Sequence, residues 1–476
     1  MTVPFPPDDA MALATAPASE IAAAVAAGTV SARDVVEATL ARITALDPVV
    51  NAFTDVTAER ARATADRIDA ARAEGAPLGP LAGVPFAVKN LFDVAGLPTR
   101  AGSKINRDLP PAARDATLIE KLEAAGAVLV GALNMGEYAY DFTGENVHDG
   151  SSRNPHDLSR MTGGSSGGSG AAVAAGLVPI ALGSDTNGSI RVPSSLCGIF
   201  GLKPTYGRLS RGGSFPFVTA LDHLGPMARS AADLALSYDA MQGEDQRDPG
   251  QTHRPYEPVS EQMGSGIEGL DIAIAGGWFR SRTMPEALAA VDKVAKALGV
   301  TQVVDVPDAA RARAAAYIIT AAEGASLHAR RLAARPEDFD PAVRDRLLAG
   351  LAIPAAWVDA AQRFRRHFRG EMLKLLARHD VLLAPATPCR APRLGQKTFV
   401  LDGEELAVRP NLGLFTQPIS FIGLPVVAVP VHVEVGDQPE LPIAVQVIAA
   451  PWREDVALRV AAVLEREGIA AAVVAN

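Results

Sequence analysis

The stretch from Gly163 to Arg191, GGSSGGSGAAVAAGLVPIALGSDTNGSIR, decides the fold of this chain. Its small residues predict a helix over Ser169–Ala175, and the apolar run Leu177–Leu182 predicts a strand. A helix that leads directly into a continuous apolar strand is typical of a parallel sheet that is buried on both faces. The stretch therefore indicates the α/β class.

The same alternation of helix and apolar strand continues on both sides. A helical segment covers about residues 18–75, and Ser31 is predicted to cap its second helix. Thr117 and Glu120 predict a capping box for a helix that precedes the strand Ala127–Val130. Further elements are predicted at Leu270–Ala275, Pro285–Leu298, Val381–Pro385, Val426–Val433, Ile443–Ile448 and Glu454–Arg466. The pattern predicts a buried, parallel sheet.

Composition excludes several classes of protein. The chain has 476 residues, 48% hydrophobic and 21% charged, which is enough for a large core and too apolar for a disordered protein. A formal charge of −9 argues against direct binding of nucleic acid or of an anionic membrane. Cys197 and Cys389 are too few for a disulfide framework, so we expect a reducing compartment.

Targeting and membrane segments are not expected. The first ten residues, MTVPFPPDDA, have neither a basic nor an apolar region, so they do not resemble a signal peptide. The apolar runs Ala171–Leu182 and Phe421–Val431 are too short to cross a bilayer. The polar segment 242–266 is interpreted as a surface loop within one domain. We therefore expect a cytoplasmic protein with a single domain over residues 1–476.

The Gly-Ser run at residues 163–170 has three interpretations. Gly163 and Gly168 have the spacing of a phosphate-binding loop, but Ser169 occupies the lysine position, so we reject that interpretation. Gly163-x-Ser165-x-Gly167 fits a nucleophile elbow, which needs an apolar strand before it, whereas residues 153–162 are polar. A flexible surface turn stays open as the third interpretation.

The turn after the strand Leu177–Leu182 is a candidate site for negative charge. A tight turn at a strand end presents successive backbone N–H groups to one point, and Asn187 and Gly188 tolerate positive φ. Ser189 would lie at the mouth of this turn, either as a nucleophile or as a structural residue. Its base could be Lys89, because burial at the end of the apolar run 84–88 would lower the lysine pKa. A lysine exposed to solvent is the alternative.

Three motifs together carry a resemblance. Lys89 lies in GVPFAVKN, Ser165 in GGSSGGSGAA and Ser189 in SDTNGSIRVPSSLCG, and the later runs GLKPTYGR (201–208) and GLPVVAVP (423–430) accompany them. This set resembles the amidase signature family over about residues 18–468. The resemblance implies one α/β domain with a large mixed, mostly parallel sheet that helices cover on both faces.

The resemblance also implies a Ser–cis-Ser–Lys triad. Ser189 would be the nucleophile, Ser165 the bridging serine after a cis peptide bond, and Lys89 the base. The expected oxyanion hole consists of the backbone N–H groups of Thr186, Asn187, Gly188 and Ser189. No metal or organic cofactor is implied. The expected reaction is hydrolysis of a small amide through an acyl-enzyme, with release of ammonia.

Several neighbouring residues are assigned supporting roles. Ser166 is expected to support Ser165 by hydrogen bonding. Arg191 either binds a substrate carboxylate or forms a buried ion pair with Asp185, and we favour the ion pair. Tyr138 either lines the substrate pocket or belongs to the core.

Asn187 stands where the family usually has a second glycine before Gly188. Together with the segments FDVAGLPTRAGSKINR (92–107) and SFPFVTALDHLGP (214–226), Asn187 makes the chain resemble the biuret-type branch of the family. That branch acts on ureides such as 1-carboxybiuret. That resemblance implies a homodimer and a small helical accessory subunit. The alternatives are the glutamine-hydrolysing subunit of a tRNA-dependent amidotransferase, an amidase for other small amides, and a catalytically dead scaffold.

Overall fold

The computed structural model of the chain describes residues 12–435 and 440–475. The segment 1–10, in which we expect no signal peptide, lies outside these residues. Most of the described chain is arranged around one large sheet of eleven strands. In the described residues two further hairpins stand apart from this sheet, β4 with β5 and β12 with β13. The strands in chain order are β1 (Phe53–Val56), β2 (Pro85–Lys89), β3 (Val128–Leu133), β4 (Arg153–Asn154), β5 (Asp157–Met161), β6 (Ile180–Asp185), β7 (Phe200–Lys203), β8 (His223–Ala228), β9 (Ile272–Ala275), β10 (Val303–Val304), β11 (Val381–Pro385), β12 (Thr398–Leu401), β13 (Glu404–Ala407), β14 (Val426–Val431) and β15 (Ile443–Ala449).

The large sheet is mixed, as the resemblance implies. Its order is β1-β3-β2-β6-β8-β7-β14-β15-β11-β9-β10. Within the described chain, strands β3, β2 and β6 are parallel, as are β11, β9 and β10, whereas the other six neighbouring pairs are antiparallel. The expectation of a mostly parallel sheet is therefore wrong. A continuous apolar strand indicates that both of its faces are buried. Central antiparallel strands can be buried in the same way as parallel ones, so the apolar pattern does not give the strand direction.

Helices cover the sheet. In the described residues the helices in chain order are α1 (Ala18–Ala27), α2 (Ala32–Val50), α3 (Ala58–Ala73), α4 (Thr117–Ala124), α5 (Gly167–Ala174), α6 (Arg191–Cys197), α7 (Ala231–Met241), α8 (Pro285–Ala297), α9 (Ala309–Ala334), α10 (Pro341–Leu351), α11 (Ala355–Leu376), α12 (Val408–Asn411), α13 (Gln417–Ile422) and α14 (Glu454–Arg466). Every residue of β2, β6, β8 and β14 is buried. Because successive strand side chains point to opposite faces, both faces of the sheet are covered there.

Two predicted helix caps have different outcomes. The Ser31 side chain accepts a hydrogen bond from the backbone N–H of Asp34, so the predicted N-cap of α2 is confirmed. The predicted capping box at Thr117 is wrong, because α4 begins at Thr117 itself and its N-cap is Ala116. The hydroxyl of Thr117 instead donates to the Asp245 carboxylate. The carboxylate of Asp245, which is distant in sequence, thus binds the hydroxyl that the local sequence assigns to the helix cap.

Segment 242–266 is irregular, as expected, apart from a short turn of 3-10 helix at Ser260–Gln262. It is held down by carboxylates: Asp248 pairs with Arg211 at 2.9 Å, and Asp245 accepts from Ser210 at 2.6 Å. The loop therefore packs onto the sequence that follows β7. Among the described helices, none combines the length and the apolar character that a bilayer crossing needs.

Candidate active site

Lys89 is the last residue of β2 and is fully buried. Its Nζ lies 2.6 Å from Oγ of Ser165 and 2.8 Å from Oγ of Ser184. Burial lowers the Lys89 pKa from 10.5 to about 7, although the carboxylates of Asp185, Asp222 and Asp141 act in the opposite direction. A lysine with this pKa is partly neutral near pH 7, so its nitrogen can accept a proton. The exposed alternative for Lys89 is thereby excluded.

Ser165 lies in the turn that leads into α5, and the peptide bond between Gly164 and Ser165 is cis. The turn is held from both sides: the Gly164 N–H donates to the Phe142 carbonyl at 2.9 Å, and the Ser165 carbonyl accepts from the Gly136 N–H at 3.1 Å. Ser165 is fully buried, which excludes a flexible surface turn. The hydroxyl of Ser165 is thus presented to Lys89 by a rigid backbone.

Ser184 is a residue that the sequence analysis did not single out. It lies on β6, which pairs in parallel with β2, and Val88 is opposite Leu182 in the register. The two strand ends therefore bring Ser184 next to Lys89. Ser166, in turn, bonds to Ser184: its Oγ donates to the Ser184 carbonyl at 3.2 Å and accepts from the Ser184 N–H at 3.3 Å. The expected hydrogen bond from Ser166 to Ser165 is absent among the described residues, because Ser166 is engaged by β6.

Ser189 lies in the turn between β6 and α6 and lines a cavity. Its hydroxyl has no hydrogen-bond partner among the described residues, and this includes Ser165. The backbone N–H groups of residues 186–189 likewise meet no acceptor within that part of the chain. Gly188 has φ +140°, and a Cβ there would overlap Thr416. The turn thus holds unpaired donors beside a hydroxyl, which suits the binding of an oxyanion.

Asp185 and Arg191 form a fully buried ion pair across this turn. Nε of Arg191 lies 2.9 Å from Oδ2 of Asp185, and Nη2 lies 3.0 Å from Oδ1. The remaining guanidinium donors reach Gln446 at 2.6 Å, the Thr416 carbonyl at 3.1 Å and the Ser420 hydroxyl. Burial alone would raise the Asp185 pKa, but Arg191 overrides it and holds that pKa below its ordinary value. All three guanidinium nitrogens are engaged, which leaves Arg191 with the ion-pair role.

The cavity beside Ser189 is small and partly open to solvent. Its walls come from six separate stretches of chain. They are the loop 139–142, the turn 186–189, Phe217, helix α9, helix α10 and the start of α13; the residues are Ala139, Tyr140, Asp141, Phe142, Thr186, Asn187, Ser189, Phe217, Tyr317, Thr320, Arg346 and Gln417. Sequence analysis missed the walls from the later helices. Nothing in their local sequence marks Tyr317, Thr320 or Arg346 as site residues.

Tyr138 does not line this cavity. Its ring packs at 4.0 Å from that of His328, and its hydroxyl donates to Asn106 at 3.1 Å. The core interpretation of Tyr138 therefore holds, and Tyr140 is the tyrosine of this segment that faces the cavity. Cys197 is fully buried at the end of α6, where its thiol donates to the Thr162 carbonyl at 3.3 Å, and burial raises the pKa of that thiol.

The described residues contain no cluster of three or more His, Cys, Asp or Glu side chains that could hold a metal ion. The polar residues that line the cavity with Ser189 carry hydroxyls, amides, the Asp141 carboxylate and the Arg346 guanidinium, and backbone N–H groups lie beside them. These groups suit acyl transfer by a serine nucleophile.

The family model for amidases matches residues 34–458. The chain belongs to the amidase family. Amidases hydrolyse carbon–nitrogen bonds of amides, so this protein is an amidohydrolase that acts on bonds other than peptide bonds. The α/β fold around a mixed sheet is that of the family's solved structures.

Two curated relatives of this amidase illustrate the range of the family. It is 56% identical over 451 residues to AtzE, which is a subunit of 1-carboxybiuret hydrolase in Pseudomonas sp. (strain ADP); the alignment covers 95% of this chain and 98% of that relative. It is 38% identical over 477 residues to a subunit of the glutamyl-tRNA(Gln) amidotransferase of Anaeromyxobacter sp. (strain K), covering 94% of this chain and 95% of that relative.

A solved structure agrees closely with this amidase. It is described as a vestigial protein complex that reveals the evolutionary origins of an s-triazine catabolic enzyme. The two chains share 55% identity and superpose with a TM-score of 0.94, over 96% of this chain and 99% of the other. The two chains thus have nearly the same backbone.

Proposed function

We propose that this amidase cleaves the C–N bond of a small ureide, 1-carboxybiuret or a close analogue, and releases ammonia. The observation that carries the proposal is the contact of 2.6 Å between Lys89 Nζ and Ser165 Oγ, behind a cavity that Ser189 lines. The 56% identity to a 1-carboxybiuret hydrolase subunit supports the ureide as substrate.

In the proposed mechanism the neutral amine of Lys89 takes the proton of Ser165, and Ser165 takes that of Ser189. The freed oxygen of Ser189 attacks the carbonyl carbon. This relay requires a hydrogen bond between the two serine hydroxyls in the substrate complex; such catalytic bonds often tighten only when substrate binds. The proton returns along the relay to the leaving nitrogen, and water then hydrolyses the acyl-enzyme in the same way.

The unpaired N–H groups of Thr186, Asn187, Gly188 and Ser189 would hold the oxyanion of the tetrahedral intermediate. Each such donor contributes roughly 3–4 kcal/mol to stabilisation of the transition state in serine hydrolases. Because these donors have no acceptor in the described chain, they need no rearrangement before they bind the developing charge.

Arg346 supports an anionic substrate. It lines the cavity from α10, and its guanidinium lies over the Tyr140 ring, 3.8 Å from the centroid. Two of its nitrogens donate to the backbone carbonyls of Ala342 and Tyr140, and no carboxylate of the described residues pairs with it. A cation without a carboxylate partner beside the cavity suits the carboxylate of a carboxylated biuret.

Ammonia release tests the proposal. The purified protein is incubated with 1-carboxybiuret, biuret and a simple aliphatic amide, and ammonia is followed with a coupled assay. Turnover of the ureides is expected, and it should vanish in Ser189→Ala and in Lys89→Met while circular dichroism stays that of the parent. Turnover that persists in both variants would overturn the assignment of the triad.

A second candidate is the glutamine-hydrolysing subunit of a tRNA-dependent amidotransferase, favoured by the 38% identity to such a protein. In that case glutamine would be hydrolysed, and the ammonia would pass to a partner enzyme. Comparing ammonia release from glutamine and from biuret derivatives separates the two candidates.

The partners and location of the protein follow from the same proposal. We propose a cytoplasmic homodimer that binds a small helical accessory subunit; the likeness to a chain solved as a protein complex supports this second component. The protein is not expected to bind nucleic acid or membrane itself. Light scattering of the protein purified alone and after co-expression with candidate small subunits measures both associations.

A further inference from the structure

The side-chain amide of Asn187 has an unpaired oxygen and lies in the wall of the same cavity as Ser189. Asn187 is only 5% exposed and lines the cavity together with Ser189. Its Nδ2 donates to Oγ1 of Thr320 on α9 at 2.9 Å. Its Oδ1 has no partner among the described residues. A buried amide oxygen without a donor is unfavourable, so a ligand that supplies an N–H to it is favoured.

Nδ2 of this amide faces Thr320. The threonine is itself almost fully buried, at 3% exposure, and comes from a helix far along the chain. In this orientation Thr320 accepts the N–H of the amide, and Oδ1 is left as the unpaired acceptor.

Gln417 offers the complementary group in the same cavity. Its Oε1 accepts from Nε of Arg313 at 3.0 Å, and an arginine nitrogen can only donate. This contact fixes which end of the amide is oxygen. The Nε2 of Gln417 has no partner among the described residues and remains a donor. Two residues of the cavity wall thus carry an unpaired amide acceptor and an unpaired amide donor.

We infer that these two amides recognise the ureide portion of the substrate, with Asn187 Oδ1 accepting the N–H next to the scissile carbonyl and Gln417 Nε2 donating to a further carbonyl. The inference rests on the proposed function and adds the group by which a ureide is distinguished from a carbon-bridged diamide. A ureide alternates N–H donors with carbonyl acceptors, whereas a malonamide has a methylene in place of the bridging N–H. A site built around that N–H rejects the analogue that lacks it.

The test uses two matched probes, N-carboxymethyl biuret and N-carboxymethyl malonamide, which differ by one N–H in place of one CH₂. The ratio of their kcat/KM values is compared between variants, because their intrinsic reactivities cancel in that comparison. Asn187→Ala is expected to lower the ratio of biuret to malonamide about tenfold or more. A ratio within twofold of the parent would overturn the inference.

Two further variants distinguish recognition of the bridging N–H from an effect on the shape of the cavity. Gln417→Leu is the matched control: both probes keep the carbonyl, so it should lower both kcat/KM values and leave their ratio unchanged. Asn187→Asp keeps an acceptor of the same size, so the ratio should stay near that of the parent even though the added charge near the oxyanion lowers kcat. A ratio that falls as far in Asn187→Asp as in Asn187→Ala would show that the residue only shapes the cavity, and would also overturn the inference.

Failure of this inference can be distinguished from failure of the proposed function. Ammonia from either probe shows that the protein is a working amidase, whatever the ratio. If neither probe is cleaved by the parent protein, the ureide function itself fails, and the binding of the biuret probe measured by calorimetry then tests Asn187: equal affinity of parent and Asn187→Ala would contradict its role.

Discussion

Lys89 Nζ lies between two serine hydroxyls, 2.6 Å from Ser165 and 2.8 Å from Ser184. The nitrogen is fully buried at the end of β2, and burial brings its pKa down to about 7. A neutral amine that donates to one hydroxyl can direct its lone pair to the other. This arrangement makes the protonation state of a single lysine decide whether the proposed relay can start.

Activity is therefore expected to fall on the acid side. Below a pH of about 7 the Lys89 amine is increasingly protonated and cannot accept a proton, so kcat should drop about tenfold per pH unit. Steady-state rates between pH 5 and pH 9, in buffers of constant ionic strength, measure this profile. A flat profile down to pH 5 would contradict a lysine base.

Ser184→Ala should lower kcat about tenfold, because Lys89 loses the acceptor of one N–H and its lone pair is no longer held toward Ser165. An acceptor stabilises the charged amine, so its removal should also move the acid limb of the pH profile to lower pH. Ser169→Ala is the matched control, since the Ser169 hydroxyl donates to the Leu182 carbonyl at 3.0 Å and does not contact Lys89. Equal profiles for Ser184→Ala and the parent would refute the positioning role.

Arg191→Met should destabilise the fold. The change leaves the Asp185 carboxylate buried without its ion-pair partner, and breaking a buried pair in this way costs about 3–5 kcal/mol. Urea unfolding followed by circular dichroism gives the free energy of unfolding, and Asp185→Asn combined with Arg191→Met should recover part of the loss. An unchanged free energy of unfolding together with a raised KM would instead assign Arg191 to the substrate.

Arg346→Met should lower kcat/KM for a carboxylated substrate about 10- to 100-fold, because a charge-assisted hydrogen bond is lost. The loss should be much smaller for neutral biuret. Arg344→Met controls for the change of charge on α10, since Arg344 pairs with Asp345 at 3.0 Å on the surface. A similar loss for both substrates would argue that Arg346 shapes the cavity without binding the carboxylate.

His328 should make the fold sensitive to acid. It is fully buried against Tyr138, and burial, aided by Arg331, lowers its pKa from 6.5 to about 3. The unfolded chain takes up this proton below pH 6.5, whereas the folded chain does so only near pH 3, so the free energy of unfolding falls as pH drops between these values.

Replacing His328 with Phe should remove that contribution, about 3 kcal/mol between pH 7 and pH 4. Unfolding curves at the two pH values measure the difference, with His253→Gln, at an exposed position, as the control. The same acid loss in His328→Phe and the parent would show that other groups cause it.

Much of the local structure could be predicted from the sequence. Strand Val381–Pro385 and the terminal helix Glu454–Arg466 have the predicted bounds. The strand after the Gly-Ser run is shifted toward the C-terminus, to Ile180–Asp185, because the extended pairing with β8 continues through the polar residues 184 and 185. The spacing of hydrophobic residues locates helices and strands well. It does not predict strand ends that depend on hydrogen bonds with a strand distant in sequence.

The candidate site was only partly predictable for the same reason. Lys89, Ser165 and Ser189 lie in short motifs with a characteristic spacing, so local sequence marks them. Ser184 looks like an ordinary strand residue, and its role follows only from the pairing of β2 with β6. The cavity wall at Thr320 depends on how a long helix packs, which a single sequence does not specify.

The groups of the proposed relay lie on strand ends and turns between residues 89 and 189. The cavity wall at Tyr317, Thr320 and Arg346 comes from α9 and α10, much later in the chain. The proposed relay and part of the cavity wall are therefore encoded in separate stretches of the sequence. Exchanging residues 309–351 between relatives is therefore a way to change the shape of the cavity, and with it the preferred amide, while residues 89–189 stay the same.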